Sequence, residues 1–191
     1  MTEPKLAPPG AGVPFLQMLY MRAYLGPLVA ARATWPQSRR AFEHLYGEIE
    51  LLSSKLSDER MVKRVLVAPM PGLEDSSRYW SPAMVLEHLV IVGVAMERAI
   101  LELSHGRVPP GKADTAKVKP LGQTPVPEIR ARYRDFYQGA PARIEAAVGD
   151  WRSKARMRHP WFGPFNARQW AWVLGAHAHI HRRQLREIIE S

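Results

Sequence analysis

His177 and His181 sit four residues apart in a stretch that reads as the last helix of this chain. Four residues are slightly more than one helical turn, so the two imidazoles project roughly 40° apart and about 6 Å along the axis, close enough to share one ion. They lie on the stripe Trp170, Leu174, His177, His181, Leu185 and Ile188, whose 3/4 spacing marks the core-facing side of an amphipathic helix. A polar ring buried there costs about 1–3 kcal/mol unless its nitrogens find partners. His88 occupies the same kind of position on an earlier helix, in the stripe Met84, His88, Ile91, Ala95, Ala99 and Leu103, with Val92 and Met96 beside it.

Core-facing histidines on two helices point to a divalent metal held by His88, His177 and His181. The competing reading is a core cluster in which each ring is hydrogen-bonded to a neighbour. Two adjacent buried rings need several partners, whereas one cation satisfies both, and this favours the metal. Three neutral imidazoles leave coordination positions open for water or substrate, as in a catalytic site rather than a closed structural one. Ligand type does not choose among zinc, nickel, iron, manganese and copper.

Glu87, next to His88, is the nearest carboxylate in sequence for proton transfer or for orienting a ligand, although adjacent helical residues point about 100° apart. Gln184, three residues after His181, could hydrogen-bond a ligand histidine or a water. His179 is turned about 200° from the pair and reads as a surface or helix-interface residue. His44, His105 and His159 are left outside the site. The aromatic run from His159 to Phe165 reads as a hydrophobic plug at the end of the molecule.

The elements that must hold these side chains are helical. Residues 1–12 form a Pro/Gly-rich lead-in, and Phe15 to Leu25 a short apolar helix interrupted at Gly26-Pro27. Its apolar residues are spread around the helix, which implies burial on several sides, against a second subunit for example. A clean amphipathic helix follows Thr34, with Phe42, Leu45, Ile49, Leu52 and Leu56 as its seam. Residues 65–79 read as a connector, apart from a brief strand-like Val65-Leu66-Val67, and a second helix runs from Ser81-Pro82 to about Ser104. A long Pro/Gly/Lys-rich loop spans 105–124, a length that in compact domains marks function or mobility. A third helix carries Ile129, Tyr133, Phe136, Ile144 and Val148, with Gly139 and Pro141 expected to kink or break it, and a fourth starts at Asn166. The expected architecture is all-α: a four-helix bundle over 34–191 preceded by an N-terminal extension, 1–33, that holds the short apolar helix.

Composition narrows the chemistry. With 191 residues one ordinary domain is expected, and the absence of cysteine excludes disulfides, thiolate ligands and a cysteine nucleophile. The formal charge of +9 is scattered over all segments, so nucleic-acid binding is not expected. No run reaches the ~18 apolar residues of a membrane span, and no signal peptide fits the start, which makes a cytoplasmic protein without membrane contact the expectation.

The stretch WSPAMVLEHL (80–89) resembles the second-helix motif of the DinB/YfiT-like superfamily, and HAHIHRRQ (177–184) resembles its fourth-helix motif, His-x-x-x-His-Arg-x-Gln. The Phe162-Gly163 step, Trp170, and the helix end Leu56 to Glu59 are also similar, and Ile180 stands where many relatives have another histidine. The resemblance implies a bundle, often a homodimer, with a divalent cation on His88, His177 and His181. It also implies a metal-dependent enzyme acting on a small molecule, either a transferase that uses a low-molecular-weight thiol or a hydrolase. The alternative is a non-enzymatic dimeric binding or stress-response module whose ion is structural or vestigial.

Overall fold

The computed structural model describes residues 4–191, and its six helices follow the local signals closely. Helix α1 (Phe15–Tyr20) begins after Pro14 and continues without a gap into a wider π-wound stretch, Met21–Ala30. The expected interruption at Gly26-Pro27 is absent. Pro27 has no N–H to give and its ring would clash in an α-turn; the wider five-residue winding leaves room for the ring, and the bond from position 27 is simply not made. Ala31 N–H donates to Gly26 O at 3.1 Å, five residues back. A Cβ at Gly26 would lie 3.3 Å from Met21 O, a tight approach, and in ordinary contact with the Phe165 ring at 3.5 Å. Burial of this segment on several sides is not achieved within the chain, since Phe15, Leu16, Leu19, Tyr20 and Tyr24 are exposed.

Helix α2 (Trp35–Ser54) starts at a capping box in which Thr34 and Gln37 satisfy each other's backbone. Its buried face is Ser38, Phe42, Tyr46, Ile49 and Ser53, with Leu45 and Leu52 only partly buried. The short helix α3 (Asp58–Val62) leads into strand β1 (Val65–Leu66). A single turn of 3₁₀ helix (Asp75–Ser77) precedes strand β2 (Tyr79–Trp80), which pairs antiparallel with β1, Val65 opposite Trp80. This small ladder turns the 65–79 connector into a fixed support for Trp80. Gly72 in the connector has φ +82°, and a Cβ there would fall 2.8 Å from Ile180, so glycine permits both the turn and the close approach to the last helix.

Helix α4 (Pro82–Ser104) has Ser81 as its cap and Pro82 at its first position. Helix α5 (Val126–Ala147) stays continuous through Gly139 and Pro141, contrary to a break there. Packing of Tyr133, Phe136, Ala140 and Ile144 holds both sides of the proline. A two-stranded hairpin that periodicity did not disclose, β3 (Met157–His159) and β4 (Gly163–Phe165), precedes helix α6 (Ala167–Glu190).

The long helices form a closed ring of neighbours in which α2 packs on α6, α6 on α4, α4 on α5, and α5 on α2. This is a four-helix bundle. Its core is one continuous cluster that includes Phe42, Tyr46, Leu86, Leu89, Ile100, Tyr133 and Leu174. Among the described residues, no helix is long and apolar enough to cross a membrane.

Candidate metal centre

Helix α6 is set in place from its first turn. Asn166 Oδ1 accepts from Gln169 N–H, and Gln169 Oε1 accepts from Asn166 N–H, both at 3.1 Å. From that origin the stripe through Trp170 and Leu174 brings His177 and His181 to the inner face, with ring centroids 4.5 Å apart. Helix α4, packed alongside, places His88 opposite them at centroid distances of 5.0 Å to His177 and 4.7 Å to His181. One ligand nitrogen from each ring lies within 4.8 Å of the other two, with His88 and His181 buried and His177 partly open. Trp80, carried by β2, stacks on His181 at 5.8 Å and leans on His88 at 5.0 Å.

Hydrogen bonds decide which nitrogens are free. His88 Nδ1 lies 2.8 Å from Val118 O, and a carbonyl only accepts, so Nδ1 carries the proton and Nε2 is bare. His181 Nδ1 is 2.7 Å from Gln184 Oε1, while Gln184 Nε2 donates to Ser77 O at 2.6 Å. That second bond fixes the amide orientation, so His181 also donates through Nδ1 and keeps a bare Nε2. His88 Nε2 and His177 Nε2 face each other at 3.1 Å. A hydrogen bond between them would need a proton on His177 Nε2, and His181 Nε2 would still have no donor among the described residues. Protein hydrogen bonds alone therefore leave a ring nitrogen unpartnered among the described residues, whereas a cation would engage all three, and the donor set fits a divalent ion.

The protonation state agrees. Burial, with His181 nearby, holds His88 well below the usual imidazole range, and burial with His181 and His88 does the same for His177. Burial also pushes His181 down to about 4. All three are neutral ligands at neutral pH.

The triad forms part of the wall of a cavity of about 270 Å³. Val92, Met96 and Ala99 of α4 and Met157, His159, Pro160 and Trp161 of the hairpin make much of the remaining wall, and the 105–124 loop closes another side. Buried Glu74 accepts from Lys119 Nζ at 2.7 Å and Thr115 Oγ1 at 2.8 Å. Burial opposes its charge, but these hydrogen bonds and the Lys119 cation hold its carboxyl below the usual range. Lys119 also donates to Ser77 Oγ at 2.6 Å and sits 5.5 Å over the Trp80 ring, so it ties the long loop to the connector that bears the tryptophan.

The other candidates from sequence are distributed as follows. Gln184 is fully buried and touches His181. Glu87 is not brought to the histidines: its carboxylate accepts from Gly122 N–H at 2.8 Å and Thr124 Oγ1 at 3.1 Å, pinning the end of the long loop. The cause is its 100° offset from His88 on one helix. His179 is exposed. On α4, Ile91 is exposed rather than core-facing, whereas Ala95, also exposed, borders the cavity on the His88 side. Residues that sequence reasoning missed are Val118, Lys119, Glu74, Ser77 and His159; only the length of the 105–124 loop signalled the first two.

Comparison with known proteins gives a family and a fold. The family model described as "DinB superfamily" matches residues 20–185. A solved structure described as "Crystal structure of TT2238, a four-helix bundle protein" is 22% identical with a TM-score of 0.52, covering 80% of this chain and 98% of that one. Identity at that level speaks to the fold alone. No curated protein matches this chain.

Proposed function

Because this chain belongs to the DinB superfamily, we propose that it is a metal-dependent enzyme acting on a small molecule, as a thiol-dependent transferase or a hydrolase. The observation that carries this reading is the convergence of three neutral imidazoles, two with their bare nitrogen fixed by a backbone or amide partner, on the wall of a largely apolar cavity that opens to solvent. A structural ion is typically ringed by four protein ligands, whereas this set supplies three and adjoins a ligand-sized space. When bound, a divalent cation supplies a lowered pKa for a water or thiol and a counter-charge for developing negative charge.

The chain's own groups have distinct tasks. His88, His177 and His181 hold the ion. Val118 O and the Gln184 amide keep His88 and His181 in the tautomer that presents Nε2. Trp80 covers one side of the rings, and Val92, Met96 and Ala99 exclude water from the adjoining wall. The Lys119–Glu74 pair fixes the loop that carries Val118.

Metal content of untagged protein, in wild type and His181→Ala, tests the site. About one ion per chain in the wild type, lost in the variant, supports it and directs thiol-transfer and hydrolysis assays with that metal. No uptake of zinc, nickel, iron or manganese by the wild type overturns it. The exposed apolar residues of α1 favour a second reading, a dimeric binding module, and a wild type that binds metal but is inert in those assays would shift the weight there.

A further inference from the structure

A fourth histidine shares the cavity with the triad. His159 ends β3, is only 8% exposed, and lines the same space as His88, His177 and His181. The turn after it folds back on the ring, so that Trp161 N–H and Phe162 N–H both approach its Nδ1, at 3.1 and 3.4 Å. A nitrogen that accepts from N–H groups carries no proton, which places the single proton of the neutral ring on Nε2. Burial pushes this histidine down to about 3, so the neutral ring is the form present at physiological pH.

The ring cannot easily turn away. Phe162, Trp170, Trp161 and Phe165 surround it at centroid distances of 4.8, 5.1, 5.9 and 6.0 Å. Nε2 has no hydrogen-bond partner among the described residues. A purely structural role for His159 would need only Nδ1, which staples the hairpin turn. The second nitrogen is a fixed donor on a stretch of wall otherwise built from Met157, Pro160, Trp161, Val92 and Met96.

We infer that His159 Nε2–H binds an oxygen acceptor, a carboxylate or carbonyl, on a substrate whose remaining body is apolar. This inference rests on the reading of the cavity as a substrate site. The carboxylates that also line the cavity are already engaged, Glu74 by Lys119 and Thr115 and Asp114 by the Ala116 N–H, whereas an oxygen acceptor at His159 finds an unused donor with an aromatic surface beside it. His159 acts as a neutral donor here, not as a metal ligand or an acid.

Two substitutions separate the ring's two nitrogens. In His159→Asn the side-chain oxygen replaces Nδ1 as acceptor for the turn and the distant N–H is lost. In His159→Gln the longer amide restores an N–H at the reach of Nε2 and gives up the Nδ1 position. The probe is benzoate, read by quenching of the fluorescence of Trp161 and Trp170 in zinc-loaded and zinc-free protein. One hydrogen bond to a charged acceptor corresponds to roughly a 10- to 100-fold change in affinity. Benzoate should bind His159→Asn at least about 10-fold more weakly than wild type, at unchanged thermal stability and zinc content. His159→Gln should melt lower yet keep most of the affinity. Long-range ¹H–¹⁵N imidazole spectra should show the proton of His159 on Nε2. Wild-type affinity in His159→Asn, no benzoate binding to the wild type, or a proton on Nδ1 overturns the inference. Loss of zinc with the His159 effect intact counts against the metal reading alone, and intact zinc without that effect counts against this one alone.

Discussion

Replacing Gln184 with leucine should weaken the bundle and the metal site together, because one amide serves both. Gln184 is fully buried, and leucine fills similar space without polar atoms. The change strands two buried groups: the His181 Nδ1–H, now 2.7 Å from the amide oxygen, and the Ser77 carbonyl, 2.6 Å from the amide nitrogen. Each orphaned group costs about 1–3 kcal/mol, and relief from burying an amide offsets part of that, leaving a net loss of roughly 2–4 kcal/mol. With a urea dependence near 2 kcal/mol per molar, the midpoint of the metal-free protein should fall by about 1–2 M. His181 would also lose the partner that selects its tautomer, a kind of loss that typically weakens metal affinity 10- to 100-fold. Urea unfolding followed by circular dichroism measures the first effect, and zinc competition against a chromophoric chelator measures the second. Gln184→Glu keeps an acceptor for His181 but cannot donate to Ser77, so it should lose stability and retain more of the zinc affinity than leucine does. A leucine variant with wild-type midpoint and zinc affinity within about twofold of wild type would refute the tether described here.

Further outcomes follow from the same geometry. His177→Ala should reduce bound metal several-fold while His179→Ala leaves it intact; equal loss in both, by elemental analysis, removes the facial assignment. Gly93→Ala should destabilise by roughly 1–3 kcal/mol despite alanine's better helix propensity, because its Cβ would fall 2.3 Å from the buried Phe136 ring where α4 meets α5. A higher melting temperature in that variant would contradict the packing. The metal-free protein should lose stability on acidification below the ordinary histidine value of 6.5, down through about 4 for His181 and about 3 for His159. In that window the unfolded chain binds protons that the folded chain refuses, so stability rises with pH, by up to about 1.4 kcal/mol per unit for each such histidine. A flat profile between pH 6.5 and 4 would contradict the neutral buried state.

Helical periodicity disclosed the triad because the second half of α6 buries one face, Ala178, His181, Gln184, Leu185 and Ile188, so a residue on that stripe must point inward. It was less reliable on α4. That helix buries Val85, Leu86, Leu89, Val92, Gly93 and Ile100 as well as the His88 line, so its inward direction has no unique phase, and Ile91 on the expected stripe is exposed. Gln184 was legible by its spacing from His181, whereas Glu87, adjacent to a ligand in sequence, is carried by the helix toward the loop end instead. Val118, Lys119, Glu74 and His159 lie in irregular or hairpin segments, where no period links a residue to a direction. Their roles depend on backbone paths, such as the turn that folds Trp161 and Phe162 onto His159, and these emerge only from the assembled chain.

Helix α6 carries its cap Asn166, Trp170, both imidazoles and Gln184 on a single rod, and this makes the site sensitive to chain length as well as to residue identity. Deleting one residue between the cap and His177 would rotate everything downstream by about 100° and shift it by about 1.5 Å, swinging His177 and His181 out of the cavity and Gln184 away from Ser77 with none of them altered. Deleting four would rotate them by only about 40°. The 105–124 loop has no such phase, because it delivers a carbonyl at Val118 and anchors at Lys119 and Gly122, and residues could be added before Asp114 without turning any ligand. Length can therefore vary in the loop beside the cavity, while in the helix that carries His177 and His181 it can change only by near-whole turns.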